Sequence, residues 1–173
     1  MYTHKDNFFD NFKIIKEQFK KIKLYNLKDY KKLFDQESNW PGFRSDDLYK
    51  IEPFLFNLII KEIFDKFDNK INRPFKIKSY VHLRLDGDNA KDFIHTDDTH
   101  FDLTMLVFLS ENNLSSGTGL YKTTKSKNYF KSYKFKQNRA VLFDSSIPHK
   151  SLNNFGQSIE NGRLTLNSFL KFY

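Results

Sequence analysis

Phe93-Ile94-His95-Thr96-Asp97 sets an imidazole and a carboxylate two residues apart at the end of an apolar run. On a strand, residues i and i+2 point to the same face, so both groups can reach one ion while Thr96 points away. Together with Pro148-His149 far downstream, the stretch makes a candidate iron site. Two imidazoles and one carboxylate on one side of the metal leave three coordination positions open.

His-x-Asp recurs three times in the chain, as His4/Asp6, His95/Asp97 and His100/Asp102, so context has to choose among them. His4 stands in a polar N-terminal segment that leads into a helical pattern, where i and i+2 face apart. His100/Asp102 runs directly into Leu103-Thr104-Met105-Leu106-Val107-Phe108-Leu109 and leaves no room for a turn between a ligand strand and the next one. His95/Asp97 has Asp98 to Asp102 as that connection, and it is the pair expected to bind. His82 and His100 are expected to be structural or exposed.

Hydrophobic periodicity divides the chain near residue 74. Asn7 to Leu24 reads as an amphipathic helix on Phe8, Phe12, Ile15, Phe19 and Ile22, and Leu27 to Gln36 reads as a second, shorter one. Ser38-Asn39-Trp40-Pro41-Gly42 breaks the pattern. Ser45-Asp46-Asp47 can cap a short turn, and Pro53 suits the first position of a helix over Phe54 to Phe67. That helix carries an apolar stripe of Leu55, Leu58, Ile59, Ile63 and Phe67 and is expected to lie across a sheet.

From Phe75 the period falls toward two. Strands are expected over Phe75–Leu85, Leu103–Ser110, Thr118–Lys122, Tyr133–Phe135, Ala140–Phe143, His149–Leu152 and Arg163–Phe172, with Asp86-Gly87-Asp88-Asn89 as a turn. The stretches from Ser110 to Gly119 and from Tyr121 to Tyr133 read as exposed connections. Short strands with no helices between them argue for an antiparallel jelly roll rather than a parallel sheet. The expected architecture is one α+β domain over 1–173: a mainly helical part over 1–74, packed on the sheet of a jelly-roll core over 75–173.

The length of 173 residues suits one domain with a substantial core, and 20 Phe with 9 Tyr make that core aromatic. No stretch reaches the roughly 18 apolar residues of a membrane span and no apolar signal region opens the chain, so the expected location is the cytoplasm. Cysteine is absent, which excludes disulfides and thiolate metal chemistry and fits a metal held by nitrogen and oxygen. The net charge of +8 would suit a polyanionic partner such as nucleic acid. The lysines are scattered among Asn, Ile, Phe and Tyr, however, as in any chain from an AT-rich genome, so nucleic acid is not the favoured partner.

Ile94-His95-Thr96-Asp97-Asp98, the strand ending Phe108-Leu109-Ser110, Gly117-Thr118-Gly119-Leu120-Tyr121, Ala140-Val141-Leu142-Phe143-Asp144 running into Pro148-His149-Lys150-Ser151, and Gly162-Arg163-Leu164-Thr165-Leu166 occur in this order. The series resembles the 2-oxoglutarate- and Fe(II)-dependent dioxygenases, nearest to their prolyl-hydroxylase-like branch, over about Tyr80 to Phe172. Trp40-Pro41-Gly42-Phe43-Arg44 resembles a loop of bacterial and phage-encoded relatives.

The resemblance implies a double-stranded β-helix, iron held by His95, Asp97 and His149, and 2-oxoglutarate and O2 as cosubstrates. It also implies that Arg163, 14 residues after the second histidine (163 − 149), holds the distal carboxylate of 2-oxoglutarate. A guanidinium holds a carboxylate by two parallel hydrogen bonds and stays charged when desolvated. Thr165 shares its strand face and can add a hydroxyl. Phe108 stands where prolyl hydroxylases often have a tyrosine for this carboxylate, which leaves Tyr80 or Arg84 as the second group. Trp40 and Arg44 are the expected substrate contacts. The implied reaction is hydroxylation of an unactivated C–H bond, with a prolyl or other amino-acid side chain of a protein as leading substrate. Oxidative demethylation of nucleic acid and a non-catalytic jelly-roll binding protein are the alternatives.

Overall fold

A computed structural model describes residues 1–34, 40–88 and 92–173. The N-terminal part contains β1 (Tyr2–Lys5), α1 (Phe12–Lys21), β2 (Tyr25–Asn26), α2 (Leu27–Phe34), β3 (Phe43–Arg44), α3 (Leu48–Ile51) and α4 (Pro53–Phe67). Seven strands follow: β4 (Phe75–Arg84), β5 (Leu103–Phe108), β6 (Asn113–Leu120), β7 (Lys131–Phe135), β8 (Ala140–Asp144), β9 (His149–Leu152) and β10 (Arg163–Phe172). The expected helix end at Gln36, and Ser38, Asn39 and Asn89 of the two expected turns, lie outside the described residues.

The strands form two antiparallel sheets, a larger one in the order β1-β8-β5-β10-β4-β3-β2 and a smaller one in the order β7-β6-β9. Alternation assigns each face of the larger sheet. Leu164, Leu166 and Leu170 of β10, Val81 and Leu83 of β4, and Met105 and Val107 of β5 join one buried cluster with Ile15 and Phe19 of α1 and Leu55, Ile59, Ile63 and Phe67 of α4. Each such side chain contributes about 1.5–3 kcal/mol by leaving water. The opposite face gives Leu106, Phe108, Val141 and Phe143 to a second cluster with Leu120, Tyr133 and Phe135 of the smaller sheet. At the other end of that face, Tyr80, His82 and Arg84 of β4 and Arg163, Thr165 and Asn167 of β10 line a cavity.

Several boundaries differ from the sequence reading. Residues 2–5 are an edge strand on β8, with Tyr2 opposite Phe143, so helix α1 begins at Phe12 rather than Asn7. Phe8 and Phe9 precede that helix and are buried with it. In the stripe of α4, Phe56 is buried while Leu58 is only partly so. Pro53 does open α4, and Asp47 caps α3 by accepting the Tyr49 N–H. Asn113–Leu120 is a strand rather than an exposed connection, bulged between Asn113 and Gly117. Gly117 has φ 152°, and a Cβ there would lie 2.1 Å from the Tyr133 carbonyl oxygen, so only glycine lets β6 pass β7 at the bulge.

The two-residue strands β2 and β3 widen the larger sheet and bring Phe43 opposite Leu83 and Arg44 opposite His82. Gly42 permits this approach. It has φ 83°, and a Cβ on it would meet the Leu83 carbonyl oxygen at 2.4 Å and the Arg84 side chain at 2.6 Å. No helix among the described residues is long and apolar enough to cross a membrane.

Candidate metal centre and cosubstrate pocket

His149 opens β9 and is held from both sides. Leu120 of β6 pairs with it on one edge, and His95 bridges it on the other. The His95 N–H donates to the His149 carbonyl at 3.1 Å and the His149 N–H returns the bond at 2.8 Å. The chain around His95 thus lies antiparallel along β9, and the Asp97 N–H, bonded to the Ser145 carbonyl at 3.1 Å, extends the seam.

This backbone arrangement brings the three side chains together. The imidazole centroids of His95 and His149 are 4.5 Å apart, His149 Nε2 is 3.5 Å from Asp97 Oδ2, and one donor atom from each residue lies within 4.8 Å of the others. Both rings are oriented alike. His95 Nδ1–H donates to the Phe93 carbonyl at 3.0 Å and His149 Nδ1–H to that of Ile147 at 3.1 Å, which leaves each Nε2 lone pair facing the cluster. Thr104 donates its hydroxyl to Asp97 Oδ2 at 2.5 Å and accepts from Ser145 at 3.0 Å. Burial lowers the pKa of His149 against the pull of Asp97. Two imidazoles and a carboxylate, with no sulfur, form a donor set that suits Fe(II).

The other His-x-Asp pairs are elsewhere. His100 is exposed and bonded to Asp98, and Asp102 receives the Phe172 N–H and Lys171. His4 packs on Tyr133, while Asp6 takes Arg139 at 2.6 Å and 3.1 Å and Lys136 at 2.8 Å.

The three ligand-type residues border a cavity of about 490 Å³ between the sheets. Arg163 also lines it, only 3% exposed. Its Nη2 reaches the Gly117 carbonyl at 3.2 Å and the Thr118 hydroxyl at 3.4 Å, while its Nε is buried with no hydrogen-bond partner. Burial depresses its pKa to about 10, so it is a cation at neutral pH. Among the described residues no carboxylate lies within ion-pair distance of it. An orphaned, charged N–H in a cavity is what a ligand carboxylate would satisfy.

Phe108 lies below this guanidinium, 6.0 Å from ring centroid to Cζ, so the position offers no hydroxyl. Thr165 lines the same cavity but gives its hydroxyl to Asn167 at 2.8 Å and the His82 carbonyl at 3.3 Å. Thr118 is the hydroxyl that Arg163 reaches. Its only sequence signal was its place between two glycines on an expected strand.

Tyr80 pairs across the sheet with Asn167, four residues along from the Arg84–Arg163 pair. Its ring lies under the guanidinium of Arg44, with Cζ 3.6 Å from the centroid, and burial pushes its hydroxyl up to about 12. Trp40 packs edge-on against Tyr30 and His82 and stands 5.7 Å from Arg44. Trp40, Arg44 and Tyr80 all line the cavity. His82, held neutral by burial with a pKa of about 3, donates Nε2–H to the Pro41 carbonyl at 2.6 Å and fastens this wall. Arg84 is committed elsewhere, to Asp88 at 2.8 Å and Asp92 at 2.5 Å. Asp92 also accepts from Asn154 at 2.8 Å, so this network fixes the chain three residues before His95.

No protein-family model matches the sequence, and no curated protein does. Solved structures do match. The non-haem α-ketoglutarate-dependent epimerase SnoN from nogalamycin biosynthesis aligns with a TM-score of 0.67 at 12% identity, over 99% of this chain and 78% of its own. HygX from Streptomyces hygroscopicus, with nickel, 2-oxoglutarate and hygromycin B bound, aligns at 0.69 and 10% identity, over 98% and 82%. A prolyl-4-hydroxylase of Pseudomonas putida aligns at 0.56 and 11% identity, over 99% and 92%. The chain therefore has the fold of the 2-oxoglutarate- and Fe(II)-dependent oxygenases.

Proposed function

We propose that this protein is an Fe(II)- and 2-oxoglutarate-dependent dioxygenase that hydroxylates an unactivated C–H bond, on a single-domain double-stranded β-helix. The observation that carries the reading is one cavity bordered by His95, Asp97 and His149 and also by the buried, incompletely bonded Arg163. When bound, iron with 2-oxoglutarate and O2 supplies the oxidising chemistry, giving succinate, carbon dioxide and a hydroxylated product. His95 and His149 would hold the metal through Nε2 and Asp97 through a carboxylate oxygen. Arg163 would take the distal carboxylate of 2-oxoglutarate, with Thr118 and Thr165 as neighbouring hydroxyls. Tyr80 stands with Arg44 and Trp40 on the wall that would meet the substrate. Packing by Phe108 and Phe135 beneath Arg163 excludes water from that end.

The leading substrate is a prolyl or other amino-acid side chain of a protein, or a small molecule. An oxidative demethylase of nucleic acid would gather lysines at the iron site. Among the described residues Lys78 is the one lysine lining the cavity, which disfavours that reading. A candidate ligand set beside an intact arginine argues against a binding protein without catalysis.

The test is incubation in air with Fe(II) and 2-oxoglutarate, following succinate by mass spectrometry. Adding a host-cell lysate and searching for molecules that gain one oxygen then identifies the substrate. The reading expects succinate that depends on Fe(II) and on His149. Equal conversion by wild type and His149→Ala would reject it.

A further inference from the structure

Among the described residues, two cations on the cavity wall have no carboxylate within ion-pair distance. Arg84 is neutralised by Asp88 and Asp92, and Arg163 faces the place of the cosubstrate. The carboxylates of the cavity are also committed: Asp92 to Arg84 and Asn154, Asp97 to the ligand cluster, and Asp98 to His100. Arg44 and Lys78 remain: Arg44 stacks on the Tyr80 ring, and Lys78 stands two residues before Tyr80 on β4. Neither has a carboxylate within 4.0 Å among the described residues, and Asp47, the acid nearest in influence to Arg44, is occupied as the cap of α3.

A half-buried guanidinium without a counter-ion is costly, and stacking on Tyr80 offsets only part of that cost. Gly42 and the His82–Pro41 bond nevertheless fix the turn before Arg44, whose own strand pairs with β4. We propose that Arg44, assisted by Lys78 at the rim, receives an anionic group of the substrate, so that the molecule oxidised carries a carboxylate or a phosphate. The inference rests on the dioxygenase reading and narrows its substrate class to acidic molecules. Arg44 is the selecting residue, because a planar guanidinium pairs with either oxyanion through parallel hydrogen bonds.

Trp40 is the only tryptophan and stands 5.7 Å from Arg44, so its fluorescence reports occupation of this site. The experiment titrates the full chain, anaerobically with Fe(II) and 2-oxoglutarate, with 3-phenylpropionate, phenyl phosphate and the uncharged 3-phenylpropanamide. We expect at least one anion to change the Trp40 emission saturably and to bind about tenfold or more tighter than the amide. Arg44→Gln should abolish that preference and Arg44→Lys should retain part of it, with thermal unfolding confirming that both variants are folded. Which anion binds tighter distinguishes carboxylate from phosphate.

Equal affinity for anion and amide, an unchanged preference in Arg44→Gln, or no saturable response to either anion would overturn the proposal. Binding of 2-oxoglutarate is followed separately through the visible absorption of the iron complex. Loss of that signal with the anion preference intact would count against the dioxygenase reading and leave the Arg44 assignment standing.

Discussion

Thr104 gives its hydroxyl to Asp97 at 2.5 Å, so the carboxylate of the candidate ligand cluster is oriented by β5, a strand that contributes no residue to that cluster. Ser145 completes the chain by donating to Thr104. Groups that orient a ligand affect metal affinity almost as strongly as the ligands do. Thr104→Val should weaken Fe(II) binding by about 10- to 100-fold, while Thr104→Ser should stay near wild type. Anaerobic competition against a chelator measures both, and equal affinities for Val and wild type would remove Thr104 from the site.

Arg163 makes a different demand. Arg163→Ala should raise the half-saturating concentration of 2-oxoglutarate by about 10- to 100-fold, the range of a hydrogen-bonded charge, with iron affinity unchanged. Thr118→Val should raise it by about 2- to 10-fold. Steady-state succinate formation reads the cosubstrate, and the same chelator competition reads the metal. Parallel loss of both in Arg163→Ala would make the arginine a structural residue.

Arg84 is 1% exposed and neutralises both Asp88 and Asp92. Arg84→Met would leave two carboxylates facing an apolar stem, and breaking a buried pair from one side costs about 3–5 kcal/mol. Urea unfolding followed by circular dichroism should show a loss of that order. A loss under about 1 kcal/mol would mean that the chain before His95 is held by other contacts.

Asp6 supplies a pH test of the fold. Hydrogen bonding to Arg139, with Lys136 beside it, holds its carboxyl well below the usual carboxylate range. A depressed folded-state pKa gives stability that is present above the unfolded value, about 3.9, and is lost as pH falls toward the folded one. Asp6→Asn should therefore be less stable than wild type by roughly 1–2 kcal/mol at pH 7, and the difference should shrink steadily below about pH 4. A difference that does not change between pH 7 and pH 3 would rule out the ion pair as its source.

The grouping of the candidate site was legible in part because its residue pattern is local in sequence. His95 and Asp97 are only two residues apart, on a segment that bridges His149 without forming a full strand, and Arg163 stands at the head of a clean alternating strand whose leucines mark the opposite face. Helix α4 was legible for the matching reason, since Pro53 and the spacing of Leu55, Ile59 and Ile63 are intrinsic to the segment. β1 was missed because an edge strand pairs on one side only and needs no apolar alternation, so Tyr2–Lys5 reads as polar coil. The two-residue strands β2 and β3 have no period to detect and depend on β4 for their form. Thr104 and Ser145, 41 residues apart, and the Arg163–Thr118 contact, 45 apart, are created by sheet pairing that no local pattern encodes.

The most direct test of the account is an anaerobic titration of 2-oxoglutarate into the Fe(II)-loaded protein, following the visible charge-transfer absorption of a 2-oxo acid chelated to iron. Wild type should develop the band saturably, Arg163→Ala only at much higher 2-oxoglutarate, and His149→Ala not at all. A band of equal strength and midpoint in His149→Ala, or none in wild type, would contradict the assignment of iron and 2-oxoglutarate to this cavity.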